Sequence, residues 1–406
     1  MSNAANERPK LRPVEAFPED GDDEDIFLVR DPSGLSEGVL RMSEPALFVL
    51  SQLDGTHTLG DVRDAFQQRY KQTLTDSTLA KLVENLESSH LLEGPAFDAH
   101  FASLVESYRD APVRQSIYGA ELGDRPTVEA YMDEMLDPPC HPPERDGLIV
   151  GVIAPHLDYP RGGPCYQDAY GVLWGRPCPK RIVILGTNHF GTSTSVTATG
   201  KAFETPLGVT KVDTEFLEGV ERRCGHDLRR HEFDHRREHS IELQVLCLQH
   251  VFGADSFTIV PFLCPDPCGP TGMKPFDGNG VALDDFARAL AETMKDDGGD
   301  TLVVAGADLS HVGREFGDSF TLDEARLTRL KERDLTALAH LKRRCPEAFI
   351  DELKRDDNPT RVCSAGCMSV LAMLLPDAEP TLHKYHQAFD EDAQICVTCT
   401  AITYAR

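Results

Sequence analysis

No stretch of this 406-residue chain is apolar for long enough to cross a lipid bilayer, which takes about 20 residues. The amino terminus is polar and acidic, without the apolar core that a secretory signal peptide needs. A repeat of about 20 to 50 residues, which would indicate a solenoid, is also missing. We therefore expect a globular protein of the cytoplasm that has no membrane partner.

Positive charge is scarce in this sequence. The 41 lysine and arginine residues stand against 67 aspartate and glutamate residues, which gives a formal net charge of −26. Such a chain repels the phosphate backbone of nucleic acids, so nucleic-acid binding is excluded as a general function. In a reducing cytoplasm, most of the twelve cysteines are expected to be buried thiols, and only a minority functional.

The amino-terminal part reads as a tail, a small domain and a connector. Residues 1–25 carry an acidic cluster and few apolar residues, which predicts a disordered acidic tail. Residues 26–93 hold two short strand patterns followed by three helical patterns, which is typical of a winged-helix-like α+β domain. Residues 94–112 are predicted to form a helical connector, and residues 113–406 a larger domain.

Three buried strands organise the larger domain. The apolar runs near 148–154, 181–186 and 301–307 are typical of central strands that are covered on both faces. A helical pattern at 166–174 separates the first two, which indicates a βαβ unit and a parallel sheet. Further strands are expected at 209–212, 257–263 and 394–404, and helices at 127–136, 214–224, 240–251, 283–294, 322–341, 346–354 and 364–374. The predicted fold class is α/β, a mostly parallel central sheet flanked by helices.

Each of the three strands ends in a side chain that can bind a metal ion or a proton. His156 and His189 follow the first two strands, and Asp308 and His311 follow the third. The carboxyl ends of parallel strands form the edge where open α/β sheets bind ligands. A parallel core does not require histidine at each strand end, so we expect a functional site there.

Two predicted helices add candidates at their starts. His239 and Glu242 are three residues apart, a spacing that places both side chains on one helix face. Cys363 directly precedes another helix, where free N–H groups and the helix dipole favour a thiolate. Cys367 lies one turn further along and could substitute for Cys363 or resolve its oxidised form. Imidazole, carboxylate and thiolate groups in one crevice are typical ligands of iron, copper or zinc.

Six motifs, in this order, resemble those of the MEMO family, protein B of the AmmeMemoRadiSam system. The resemblance covers residues 113–406 and implies a fold similar to that of class III extradiol (LigB-type) dioxygenases. It also implies redox-active iron or copper. The motifs are Ala154-Pro155-His156, Ile184-Leu185-Gly186-Thr187-Asn188-His189, Thr205-Pro206-Leu207-Gly208, Glu238-His239-Ser240-Ile241-Glu242, Ile259-Val260-Pro261 and Asp308-Leu309-Ser310-His311.

The resemblance assigns roles by position. It implies that the metal ligands are His156, His189 and Cys363. It places Asp308, His311, His239 and Glu242 around the metal as site residues.

The chain departs from the family at two of these motifs. Leu157-Asp158 stands where the family has Ala-Gly, so Asp158 is expected beside His156 as a ligand, a base or a hydrogen-bond partner. Ser364 follows the cysteine where the family has glycine.

The segment 26–93 resembles the PqqD-like family in its patterns at 46–56 and 82–92. That family holds peptides or partner proteins. The third predicted helix carries Lys81 among Asp76, Glu84 and Glu87, so it is not the basic helix that a DNA-binding use of such a fold requires. A peptide or protein contact is therefore favoured over DNA.

Three functions fit these observations. The leading hypothesis is a metal-dependent, dioxygenase-like oxidoreductase in which His311 or His239 serves as acid or base and Asp308 and Glu242 orient them. The second is a non-catalytic component that binds a peptide and presents it to a partner such as a radical SAM protein. A zinc hydrolase is the weakest of the three.

Overall fold

The chain divides into two compact units, residues 1–110 and 111–406. The computed structural model describes residues 8–19, 26–36, 38–136, 147–298 and 300–406. None of the helices in these ranges combines the length and the apolar character that a membrane span requires. The helix that was expected to act as a connector belongs to the first unit, so the boundary falls at residue 110.

The first unit is a three-stranded antiparallel sheet with four helices. The sheet is a meander in the order β1-β2-β3, and the unit has its own apolar core, which includes Leu50, Val62 and Leu86. The elements are β1 (Glu15–Pro18), β2 (Ile26–Arg30), β3 (Val39–Ser43), α1 (Glu44–Gln52), α2 (Leu59–Tyr70), α3 (Asp76–Ser88) and α4 (Pro95–Asp110).

The prediction of a disordered tail is wrong for residues 8–19. Glu15–Pro18 pairs with β2, and Leu11 forms a bridge to Leu92. Arg12 is buried and its guanidinium lies 3.0 Å from the carboxylate of the buried Asp31. This buried ion pair fixes the segment, because a buried charge requires a partner. The remainder of the predicted tail, residues 1–7 and 20–25, lies outside the described residues.

The second unit is built around one large mixed sheet. The strands of this unit are β4 (Val113–Arg114), β5 (Ile149–Ala154), β6 (Arg181–Thr187), β7 (Thr197–Ala198), β8 (Ala202–Thr205), β9 (Gly208–Thr210), β10 (Thr258–Cys264), β11 (Thr301–Gly306), β12 (Asp308–Gly313), β13 (Glu379–Asp390) and β14 (Ile395–Ala405). Its helices are α5 (Tyr118–Glu121), α6 (Arg125–Leu136), α7 (Tyr159–Gly171), α8 (Thr214–Cys224), α9 (His239–Phe252), α10 (Leu283–Asp297), α11 (Glu324–Lys342), α12 (Pro346–Lys354) and α13 (Ala365–Leu374).

The predicted fold class is confirmed. Within the described residues, the main sheet has the order β12-β14-β5-β11-β6-β10-β7, with β13 paired to β14. The four central strands β5, β11, β6 and β10 are parallel, and the flanking strands are antiparallel. The central strands are almost fully buried, as their continuous apolar runs predict. The carboxyl ends of β5, β6 and β11 therefore meet at one edge.

Three elements differ from the sequence-based expectation. The third buried run ends at Gly306, and the chain then enters a separate strand, β12, which pairs with β14. Helix α7 begins at Tyr159, seven residues before its apolar pattern indicates, because Asp158 caps it. The long strand Glu379–Asp390 was not predicted, since it is largely half-buried and has no apolar run.

Glycine at two strand ends lets α9 approach the sheet edge. A Cβ atom at Gly306 would overlap the carbonyl oxygen of Ser240, and a Cβ atom at Gly186 would overlap the Ser240 hydroxyl. That hydroxyl accepts the Thr187 N–H at 3.0 Å and donates to the Thr187 carbonyl at 3.1 Å. The first turn of α9 is thereby fixed directly on the ends of β6 and β11.

The substitution Gly306→Ala tests this close approach. The overlap involves backbone of α9, which cannot rotate away as a side chain can, so we expect a loss of about 1 to 3 kcal/mol in the free energy of unfolding. Urea denaturation measures this free energy of unfolding. Gly171→Ala is the matched control, because a Cβ atom there meets no atom within 4 Å, and it should not destabilise the protein. Equal stability of the two variants would contradict the packing argument.

Candidate metal centre

Three histidine rings converge at this edge of the sheet. The ring centroids of His156 and His189 are 4.8 Å apart, those of His156 and His239 5.3 Å, and those of His189 and His239 4.9 Å. One nitrogen of each ring lies within 4.8 Å of the corresponding nitrogen of the other two. His156 is buried, whereas the side chains of His189 and His239 are 24% and 20% exposed. The group has the spacing of a metal site with one accessible side.

The ends of two strands and a helix start position these rings. His156 lies two residues beyond β5 and His189 two residues beyond β6, while His239 is the first residue of α9. The Nδ1 atom of His156 is 2.9 Å from the Gly306 carbonyl oxygen, which leaves Nε2 as its ligand atom. The predicted convergence of the histidines is thus seen in the structure, and His239 joins it as a third nitrogen ligand candidate.

Glu238 lies against two of the three rings and was not predicted. Its carboxylate is buried and lies 3.0 Å from Nδ1 of His189 and 3.4 Å from Nδ1 of His239. It also accepts the backbone N–H groups of His189 and Ser240. Burial opposes ionisation, but the neighbouring His189 lowers the pKa of Glu238 below its ordinary value and Glu238 in turn raises the pKa of His189. Its position directly before a helix was the signal in the sequence, because that position caps the helix.

Cys363 lies against the same group. Its Sγ atom is 3.4 Å from Nε2 of His156 and 3.2 Å from the hydroxyl oxygen of Ser364. Burial raises the pKa of the Cys363 thiol, but His156 and His189 outweigh it and bring the pKa down to about 6. The serine that departs from the family pattern has a structural role, since its hydroxyl accepts the Asp308 N–H at 3.1 Å.

Asp308 and His311 belong to the same site. Asp308 is buried, accepts the His156 N–H at 3.1 Å, and has Oδ2 3.5 Å from Nε2 of His156. Burial raises the pKa of Asp308 to about 6, against the opposing effect of His311. Burial lowers the pKa of His311, and the neighbouring Asp308 opposes that shift. The two groups therefore interact, and burial favours the neutral form of each.

Glu242 does not take part in the site, and the prediction that it orients a catalytic histidine is wrong. The side chains of Glu242 and Arg114 are fully buried and form an ion pair. The same carboxylate accepts hydrogen bonds from the Ser116 hydroxyl and the N–H groups of Ile117 and Gly119 at 2.9 to 3.0 Å. All of its acceptor capacity is used to attach the segment before α6 to α9.

Asp158 also has a different role from the predicted one. It is the N-cap of α7, accepts the Arg161 N–H at 3.1 Å and pairs with the Arg161 guanidinium. Its side chain is 47% exposed. The carboxylate that replaces the glycine of the family pattern therefore stabilises a helix start, and we do not assign it to the metal centre.

The residues fit a metal ion. Within the described part of the chain, the buried Nδ1 atom of His239 has no hydrogen-bond partner. The pKa of His239 is lowered to about 3, mainly by burial, so this ring is neutral and can donate a lone pair. Three imidazoles and an acidified thiol form a donor set that suits a transition metal.

Comparison with known proteins identifies one family by its sequence model and by sequence relatives. The family model described as "Memo-like protein" matches residues 123–395. A MEMO1 family protein of Aquifex aeolicus (strain VF5) is 25% identical over 345 residues, which cover 83% of this chain and 84% of the relative. A MEMO1 family protein of Methanopyrus kandleri is 34% identical over 210 residues, covering 50% and 69%. The crystal structure of an uncharacterized protein from Escherichia coli K12 aligns with a TM-score of 0.38 at 17% identity, over 63% of this chain and 99% of that one.

The substitution Glu242→Gln tests the structural role of this carboxylate. It leaves the buried Arg114 without an anionic partner, and breaking a buried ion pair costs about 3 to 5 kcal/mol. We expect a loss of that size in urea denaturation. Glu129→Gln is the control, since Glu129 pairs with Arg125 on the surface and exposed pairs contribute little. A stability loss no larger than that of the control would contradict the role.

The pH dependence of Cys363 alkylation tests the electrostatics of the site. Only the thiolate reacts, so a pKa lowered to about 6 keeps Cys363 reactive at pH 7, and its rate falls only as the pH drops through about 6. Iodoacetamide labelling of metal-free protein, read by mass spectrometry, gives the midpoint. Cys224, with a pKa raised to about 12 by burial, is the unreactive internal control. A midpoint at pH 8 or above would contradict this account.

Proposed function

This chain belongs to the Memo-like protein family, and on that premise we propose that it is a transition-metal protein which uses iron or copper for redox chemistry. The observation that carries the proposal is the convergence of His156, His189 and His239 with the Cys363 thiol 3.4 Å from His156. Nothing in the packing of a parallel sheet demands such a group at its carboxyl edge.

The donor set favours iron or copper. His156, His189 and Cys363 would hold the ion, with His239 as a further ligand. Imidazole and thiolate together suit zinc, copper and iron, and exclude magnesium and calcium, which prefer oxygen. A thiolate ligand transfers electron density to a metal and stabilises its higher oxidation states, so we favour a redox metal over zinc. When bound, such a metal would supply one-electron redox chemistry at this edge.

Asp308 and His311 provide proton handling beside the ligands. Asp308 has its pKa raised to about 6 and points one oxygen at His156, 3.5 Å away. An acid whose pKa lies near the working pH can both accept and release a proton. We assign Asp308 and His311 the role of acid and base toward a substrate on the accessible side, where His189 and His239 are partly exposed.

Metal content is the decisive measurement. Elemental analysis of the purified protein, with an electron paramagnetic resonance spectrum of anaerobic samples, should show iron or copper near one per chain. His156→Ala, His189→Ala and Cys363→Ser should each lower that stoichiometry severalfold. His57→Ala, an exposed histidine of the first unit, is the control and should bind normally. Unchanged metal content in all three variants would refute the proposal.

His239→Ala separates two ligand sets in the same experiment. Loss of metal in this variant and retention in Cys363→Ser would establish a three-histidine site. The reverse result would establish the two histidines and the cysteine that the family resemblance implies.

A non-catalytic role is the second candidate, and the first unit favours it. That unit has an apolar core of its own, and its edge strands expose Phe17 and Val39 at 36% and 51%. Such a unit could hold a peptide and present it to a partner, for which we propose a radical SAM protein of an AmmeMemoRadiSam-type system. A protein that retains no iron, copper or zinc in the metal analysis would favour this role.

A further inference from the structure

One carboxylate faces two of the imidazoles. The rings of His189 and His239 lie nearly parallel, with an interplanar angle of 21° and centroids 4.9 Å apart. Both direct Nδ1 toward the same Oε1 atom of Glu238, at 3.0 and 3.4 Å. His189 is hydrogen-bonded to Glu238 through Nδ1, so its Nε2 atom is left for a ligand. The Nδ1 atom of His239 lies beside the same oxygen without a hydrogen bond.

Glu238 is itself held rigidly. Its side chain is 1% exposed, and it accepts the N–H groups of Ser240 at 2.9 Å and of His189 at 2.8 Å. Its carbonyl oxygen accepts a hydrogen bond from the Arg114 guanidinium at 2.9 Å. The carboxylate also lies at the amino terminus of the fourteen-residue helix α9, where the helix dipole favours a negative charge.

A cap alone does not explain this residue. Capping needs one acceptor, and the short side chains of serine, threonine, aspartate and asparagine are preferred for it. A buried glutamate in that position brings a full charge into the interior, which is unfavourable unless several donors surround it. The contacts to His189 and His239 are the ones that a shorter capping side chain could not make while also capping the helix.

We infer that Glu238 is a positioning residue of the metal centre, which fixes the His189 ring to bind metal through Nε2. The inference rests on the proposed function. A metal-binding histidine usually donates its other N–H to a carboxylate or carbonyl, which sets the tautomer and the ring orientation. Here a buried carboxylate does so for His189, and the Gly306 carbonyl does so for His156.

Metal affinity of two conservative variants tests the inference. Glu238→Gln keeps the size but loses the charge and one acceptor, and Glu238→Asp keeps the charge but loses reach. Competition with a chelator, using iron(II) and copper(I) alone as probes, should show about 10-fold to 100-fold weaker binding for Glu238→Gln, the usual loss for such a partner. The metal affinity of Glu238→Asp should lie between that of Glu238→Gln and that of the unmodified protein.

The matched control is Glu232→Gln. Glu232 is a partly buried carboxylate that accepts hydrogen bonds from Thr199 and Gly200 and lies 3.8 Å from the Lys201 ammonium. The Glu232→Gln variant should bind both metals with the affinity of the unmodified protein. Urea denaturation of each variant separates loss of metal affinity from loss of folding. If Glu238→Gln does not fold, the metal affinity of Glu238→Asp decides the test.

A second readout needs no metal. In metal-free protein labelled with ¹⁵N-histidine, the Nδ1–H proton of His189 should give a downfield resonance, because its hydrogen bond to Glu238 protects it from exchange. His189→Ala identifies the signal, and Glu238→Gln should abolish it whereas Glu232→Gln should not. A purely structural cap would leave this resonance unchanged.

The outcomes are distinct. Binding of both metals within twofold of normal by Glu238→Gln, together with an unchanged Nδ1–H resonance, would overturn the inference. Failure of the unmodified protein to bind iron or copper would overturn the proposed function and the metal part of the inference. In that case the resonance would still decide whether Glu238 orients His189.

Discussion

The geometry of the site depends on the contact between the first turn of α9 and the ends of two parallel strands. Ser240 exchanges two hydrogen bonds with Thr187, and the absence of side chains at Gly186 and Gly306 makes room for that exchange. A helix held there by its backbone brings His239 to the two histidines that the strands carry. The same turn supplies the Glu238 carboxylate that holds Nδ1 of His189, so the sheet edge and the helix start form one unit of structure.

Two carboxylates at the start of α9 show how neighbours decide a role. Both Glu238 and Glu242 are buried, and an isolated buried carboxylate is strongly unfavourable, so each must be surrounded by donors. Glu238 finds imidazole and helix N–H groups. Glu242 finds Arg114 and the backbone of residues 117–119. The first therefore acts on a histidine of the candidate metal centre, and the second holds a segment of the fold in place.

This difference also marks how far the sequence could predict the site. The strand ends were predictable because an apolar run and the residue that follows it are local signals, which is why His156, His189 and Asp308 were placed together. The partner of Glu242 lies 128 residues away, and no local pattern indicates it. Asp158 is the opposite case, because an aspartate two residues before a proline is a local signal of a helix start.

Two opposing effects set the pKa values of the acidic groups in the site. Burial raises them, and the neighbouring imidazoles lower them. Burial raises the pKa of Asp308 to about 6, while the neighbouring histidines lower the pKa of Cys363 to about 6. A carboxylic acid and a thiol, far apart in their ordinary acidity, are thus brought to nearly the same value around His156. A cation held by the same ligands acts on the thiol in the same direction as a protonated imidazole. The groups around His156 can therefore take up or release protons near pH 6 without leaving an isolated buried charge.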